Sequence, residues 1–176
     1  LSGCWDKKEL DQLFIVTGVA LDEGGSPEQM DVSLQVGRTS SATEGTGDMR
    51  SQDNSIILLK TQAETMAGAI IKINLDSSRE VFLQHNQVLI FGSALARKGV
   101  LPRLDLFMRS ANTRVEMPVV VAKGRGEEIL ATQMLQDKVS GIFLARVLSE
   151  LHIISPEYRV RLLDMASRLL DGSSAP

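Results

Sequence analysis

Met30-Asp31-Val32-Ser33-Leu34-Gln35-Val36 alternates apolar and polar residues without a break. Successive side chains of an extended chain point to opposite faces, so this pattern specifies a β-strand with Met30, Val32, Leu34 and Val36 toward a core. The alternation predicts that Asp31, Ser33 and Gln35 face water. Upstream, Leu13 to Leu21 is rich in Ile, Val, Phe and Thr and reads as a second strand. Between them, Asp22-Glu23-Gly24-Gly25-Ser26-Pro27 has the composition of a turn, and the pair is expected to form an antiparallel hairpin.

The same reasoning extends along the chain. Thr39 to Asn54 is Ser/Thr/Gly/Asp-rich and reads as a flexible loop rather than a binding loop. Ser55 to Leu59 is a short strand or a helix entry. Thr61 to Leu75 fits a helix burying Met66, Ile70 and Ile73, with Ala63 and Ala69 beside them. Val81 to Phe91 is a further β segment, and its run Val88-Leu89-Ile90-Phe91 suits a central strand covered on both faces. Ser93 is placed to N-cap a short helix over Ala94 to Lys98, with Gly99 closing it. Pro102 suits the first turn of a helix reaching Arg109 and burying Leu104, Phe107 and Met108. Val115 to Ala122 is a third β segment. Three helices follow: Glu127 to Leu135; Val139 to Leu151, with Val139, Ile142, Phe143, Val147 and Leu151 inward; and one opened by Ser155-Pro156, with Val160, Leu163, Ala166 and Leu170 inward and Asp171-Gly172 as its stop. The sum is an α+β (mixed α/β) domain with one sheet of about four strands, largely antiparallel, packed with several helices. Residues 1–10 read as a tether, 11–172 as a single globular domain, and 173–176 as the start of a linker.

Composition narrows the function. The chain has 176 residues, enough for one real core, and 43% are apolar. Its net charge of −3 and its lack of long basic runs argue against nucleic-acid binding. Its single cysteine excludes an intrachain disulfide. No apolar run approaches the roughly 20 residues needed to span a bilayer. An enzymatic reading finds little support. His85 and His152 lie on separate elements, with no metal-binding spacing and no expected metal or cofactor. Gly124-Arg125-Gly126-Glu127-Glu128-Ile129 lacks the third glycine of a phosphate loop and reads as a turn into a helix. Its two acids complement the helix dipole. The polar stretch Arg109-Ser110-Ala111-Asn112-Thr113-Arg114, with Arg103 upstream, offers Arg109 and Arg114 as partner contacts; Arg109 alternatively caps its helix.

Leu1-Ser2-Gly3-Cys4 resembles the lipobox of bacterial lipoproteins, in which small residues precede a cysteine that is acylated after the signal peptide is cut. Cys4 is thus the candidate lipidation site. Two or three acyl chains, such as palmitate, anchor a protein stably where one does not. Two longer stretches carry a family resemblance. CWDKKELDQLFIVTGVALDE (4–23) and HNQVLIFGSALARKGVLPRLDLFMRSANTRVEMPVVVAKGRGEEIL (85–130) resemble the Ger(x)C lipoproteins, the C subunits of spore germinant receptors. Members of that family are about twice as long, so the resemblance implies that this chain is the N-terminal domain. It also implies a non-enzymatic role in spore germination, a place on the outer face of the spore inner membrane, and assembly with the integral-membrane A and B subunits. A lipoprotein that itself binds a small-molecule ligand is the alternative.

Overall fold

The computed structural model describes residues 10–37, 56–110, 113–132, 139–154 and 160–172. The order is β1 (Leu13–Glu23), β2 (Met30–Gly37), β3 (Ile57–Ala63), α1 (Met66–Leu75), β4 (Glu80–Phe82), β5 (Leu89–Phe91), α2 (Ser93–Lys98), α3 (Asp105–Arg109), β6 (Val119–Val121), α4 (Gly126–Ala131), α5 (Ser140–Ile154) and α6 (Leu162–Leu170). The α+β class holds, but the sheet has six strands where about four were expected. Its order is β3-β2-β1-β5-β6, and β4 pairs with β1. The hairpin β1–β2 and the pairing β2–β3 are antiparallel, whereas β4 and β5 on β1 and β6 on β5 are parallel. The sheet is therefore mixed: its long ladders are antiparallel, and the parallel pairings are short.

The expected β segment over Val81 to Phe91 divides into two short strands. β4 pairs with Leu13–Ile15 and β5 with Val19–Leu21, so both occupy the same edge of β1. They part where β1 itself is irregular. Its register against β2 slips between Val16 and Gly18, leaving Thr17 as the extra residue of a bulge. The bulge resolves a phase conflict in the sequence. Phe14 and Val16 are even-numbered, Val19 and Leu21 odd, yet all four belong to one core. A bulge shifts the two-residue alternation by one and puts both pairs on the same face.

Helices cover both faces of the sheet. The larger core joins Val16, Val19, Leu21, Met30, Val32, Leu34, Leu89 and Phe91 to α1, α2, α3 and α6. The smaller core joins Ala20, Val88, Ile90 and Ala122 to Leu130 of α4 and to Leu144 and Leu148 of α5. The run Val88 to Phe91 is fully buried, as expected of a central strand.

This second layer corrects the reading of β2. Ser33 and Gln35 do not face water: they are 1% and 0% exposed beneath α4 and α5. Gln35 Nε2 donates to the Leu130 carbonyl (2.8 Å) and to Ser140 Oγ (2.7 Å). Its Oε1 accepts from the Gly141 N–H (2.8 Å) and lies within reach of the Thr17 hydroxyl (3.3 Å). A buried amide is tolerated because each polar atom finds a partner.

Other boundaries move for local reasons. Thr61 to Ala63 belongs to β3, paired with Met30–Val32, and the helix begins only after Thr65, whose hydroxyl caps Gly68 N–H at 3.1 Å. Ser93 is the first residue of α2, with Gly92 in the N-cap position. The helix expected after Pro102 divides into a 3-10 turn at Leu101–Arg103 and α3, and Met108 is 38% exposed. The third β segment shortens to Val119–Val121, and α4 ends at Ala131. Helix α5 docks through Ser140, Gly141, Leu144 and Leu148, leaving Ile142 and Leu151 exposed. Helix α6 begins at Leu162 and buries Leu162, Met165 and Ala166, leaving Leu163 and Leu170 exposed. The expected starting signal Ser155-Pro156, the 39–54 loop and the 173–176 linker lie outside the described residues.

Candidate functional site

The two ends of the sheet differ in chemistry. At the carboxyl end of β1, Asp22 is 1% exposed and accepts from the N–H groups of Gly126 (2.7 Å) and Glu127 (3.0 Å). A strand residue thereby supplies the acceptor that the start of α4 needs, since the Arg125 side chain in the cap position makes no capping bond. Gly92 permits this: a Cβ there would lie 2.0 Å from Asp22 Oδ1.

Above Asp22 lies a polar groove of about 430 Å³, lined by residues including Glu23, Ser93, Gly124, Arg125 and Glu128. An ion network borders it. Arg125 Nη2 bonds Asp31 Oδ2 at 2.8 Å and Glu127 Oε2 at 3.2 Å, and Lys60 bonds Glu127 Oε1. The Lys60 ammonium, and then Arg125, hold the Glu127 carboxyl below the usual carboxylate range. Asp31 in turn raises the pKa of Arg125. Every named charge in this network has an opposite charge beside it. The GRGEEI turn does lead into a helix with its acids in the first turn. Sequence reading missed that its anchor is Asp22, more than a hundred residues upstream; no local signal links the two.

The opposite end carries an apolar groove, with Asp76, Arg79 and Glu80 nearby. The groove, of about 530 Å³, is lined by Leu13, Ile70, Val81, Phe82, Leu83 and Leu106, with Glu80, Gln84 and Ser110 at its polar positions. Leu10, Ile71 and Leu75 are 65%, 58% and 80% exposed.

The sequence-predicted site residues that the structure describes are held by local bonds. Cys4 lies outside the described residues. Arg109 is exposed on α3 and bonds Asp105 Oδ1 one turn earlier at 2.6 Å. Arg114 is exposed and bonds Gln87 Oε1 at 3.4 Å. Arg103 turns elsewhere, donating to the carbonyls of Glu64 (2.5 Å) and Glu28 (3.3 Å). His85 sits beside Phe82, with ring centroids 5.7 Å apart. Asn86, 2% exposed, donates to Met117 Sδ at 3.2 Å, while its Oδ1 has no partner among the described residues. Among the described residues no group of three or more His, Cys, Asp or Glu is placed to hold a metal, and no helix is long and apolar enough to cross a membrane.

The geometry defines an α+β domain with a mixed sheet clad on both faces, with an ion network at one end and an apolar groove at the other. Comparison with known proteins identifies it more closely: the family described as the spore germination protein N-terminal domain matches residues 6–176, and the chain belongs to that family. Three curated relatives are similar to it, all from Bacillus subtilis (strain 168). The putative spore germination protein YfkR is 28% identical over 179 residues, covering 100% of this chain and 45% of the relative. Spore germination protein A3 is 28% identical over 133 residues, covering 73% and 34% respectively. Spore germination protein KC is 25% identical over 144 residues, covering 79% and 35%. The chain thus spans less than half the length of these relatives. No solved structure matches it significantly.

Proposed function

We propose that this domain serves spore germination as part of a lipid-anchored, non-enzymatic receptor subunit. Cys4 carries the lipid, on the outer face of the spore inner membrane, and the domain works through contact with integral-membrane subunits of a nutrient germinant receptor. The observation that carries the reading is membership of the spore germination N-terminal domain family over residues 6–176, joined to the lipobox-like Leu1-Ser2-Gly3-Cys4 immediately before it. An anchor of this kind raises the domain's effective concentration for membrane partners without any new contact.

The test is fractionation of the full-length protein. Cys4→Ala is expected to move it from the membrane to the soluble fraction; unchanged membrane association and detergent partitioning would overturn the anchor. Co-purification of the intact protein with its membrane neighbours tests the assembly, and recovery of the protein alone under mild detergent would count against it. Calorimetry against amino acids and sugars separates this reading from a ligand-binding lipoprotein. No saturable heat is expected, and a one-to-one isotherm would favour the ligand-binding protein.

A further inference from the structure

Helix α1 is a surface helix with an unusual outer side. Its sequence, MAGAIIKINL, has one charged residue, Lys72. Met66, Ala69 and Ile73 face the core, as a surface helix requires. The opposite side is apolar as well: Ala67, Ile71 and Leu75, spaced four apart, are all exposed. A helix apolar on both sides is ordinarily covered on both. Among the described residues nothing covers this one.

Topology fixes where that side lies. β3 ends with Ala63 paired to Met30, which is paired to Glu23 at the carboxyl end of β1. From there α1 runs back along the sheet and ends at Leu75, five residues before Glu80, which pairs with Leu13 at the start of β1. Leu75 is therefore at the end of the domain where β1 begins, with Leu10 just before it. Cys4 is six residues from Leu10. A fully extended chain rises at most about 3.3–3.6 Å per residue, so the Cys4 sulfur stays within roughly 20–25 Å of Leu10 in any conformation. The ion network of Asp31, Lys60, Arg125 and Glu127 lies at the other end.

We propose that the outer side and carboxyl end of α1, together with Leu10, rest against the lipid surface to which Cys4 is joined, so that the ion network of Asp31, Lys60, Arg125 and Glu127 points into solution. This orientation rests on the anchoring reading of Cys4. The short reach from the attachment point makes the bilayer the apolar phase nearest to Ile71 and Leu75.

The experiment joins the thiol to lipid chemically, so its outcome does not depend on whether a cell acylates Cys4; fractionation of Cys4→Ala tests that separately. The 176-residue chain, carrying Trp5→Phe to remove its only tryptophan, is coupled through Cys4 to a maleimide-headgroup phosphatidylethanolamine in phosphatidylcholine vesicles. Three reporters are compared: Leu75→Trp, Ile71→Trp and Val121→Trp. Val121 is an exposed apolar control, 56% accessible, on the strand end that lies beside Phe91 and Leu21, away from the start of β1. All three sites are exposed, so folding is retained and is checked by circular dichroism. In vesicles of brominated phosphatidylcholine, Leu75→Trp and Ile71→Trp are expected to lose emission relative to unbrominated vesicles, and Val121→Trp to keep it. No loss at Leu75→Trp and Ile71→Trp would overturn the proposal and leave this face to a protein partner. Equal loss at all three positions would overturn it too, because the domain would then have no preferred face.

Discussion

At the scale of single residues, Gln35 and Asp22 do the joining that apolar contacts do elsewhere. Gln35 ties β2 to the end of α4 and the start of α5 through the Leu130 carbonyl, Ser140 Oγ and the Gly141 N–H. Replacing it with leucine conserves much of its volume but strands those groups. At about 1–3 kcal/mol for each buried group left unsatisfied, and with Ser140 and Leu130 still bonded to each other, a net loss of about 3 kcal/mol is expected in urea unfolding. The strand is fully legible in the sequence, but the environment of its polar face is not. Alternation specifies two faces and says nothing of what covers the second. A glutamine meeting water and one meeting two helices read alike. Asp22 is illegible for a related reason: it stands in a stretch with turn composition, and its partners are remote amides. Glu127 gives a pH signature. Its folded-state pKa is lowered, chiefly by Lys60, so its contribution to stability is present above the ordinary carboxylate pKa of about 4.3 and is lost as pH falls through the depressed folded value. Glu127→Gln is therefore expected to reduce stability at neutral pH and to flatten the acid limb of the stability profile. The effect is small and weakens in high salt, because the pair is partly exposed.

At the scale of elements, the docking of α5 is decided by its smallest residues. A Cβ on Gly141 would lie 2.8 Å from the Thr17 carbonyl oxygen and 2.9 Å from Gln35 Oε1, and one on Gly18 would lie 2.8 Å from Leu130 Cδ2. Two glycines thus let the helix start sit directly on the bulged part of β1. Reading large apolar residues as the inward face misplaced the helix for this reason: Ile142 and Leu151 are exposed, while Ser140 and Gly141 are buried. In α6 the difference is one of phase: the sequence reading puts Leu163 and Leu170 inward with Ala166, whereas Leu162 and Met165 fill the core beside Ala166. Gly141→Val is expected to cost about 1–3 kcal/mol by overpacking, whereas Ile142→Gln stays within about 0.5 kcal/mol. Thermal melts of the two variants side by side check the assignment; the reverse ranking would mean that α5 docks by the face read from its sequence. At α1 periodicity marks Met66 and Ile73 as inward, but it does not say what meets the apolar outer side of Ala67, Ile71 and Leu75.

At the scale of the whole molecule, two cores share one sheet. Leu89 and Phe91 point into the larger core, while Val88 and Ile90, on the same strand, point into the smaller one. β1 is divided in the same way, with Leu21 on one side and Ala20 on the other. Neither core can be exposed without dismantling strands that the other needs, so the domain is expected to unfold as one cooperative unit. Leu89→Ala, at a fully buried position, is expected to cost about 2–5 kcal/mol. The sharper test is whether that loss crosses the sheet. Leu89 belongs to the core under α1, α2, α3 and α6, whereas α4 and α5 pack on the opposite core. In native-state hydrogen exchange, Leu89→Ala is expected to lower the opening free energy of the most protected amides in α5 by the same amount as in β1 and β5. If α5 instead kept its wild-type opening free energy, or opened well below the sheet in the unmutated domain, α4 and α5 would form a separate unit. The Gln35 network would then be a detachable contact between two parts rather than part of one folding unit.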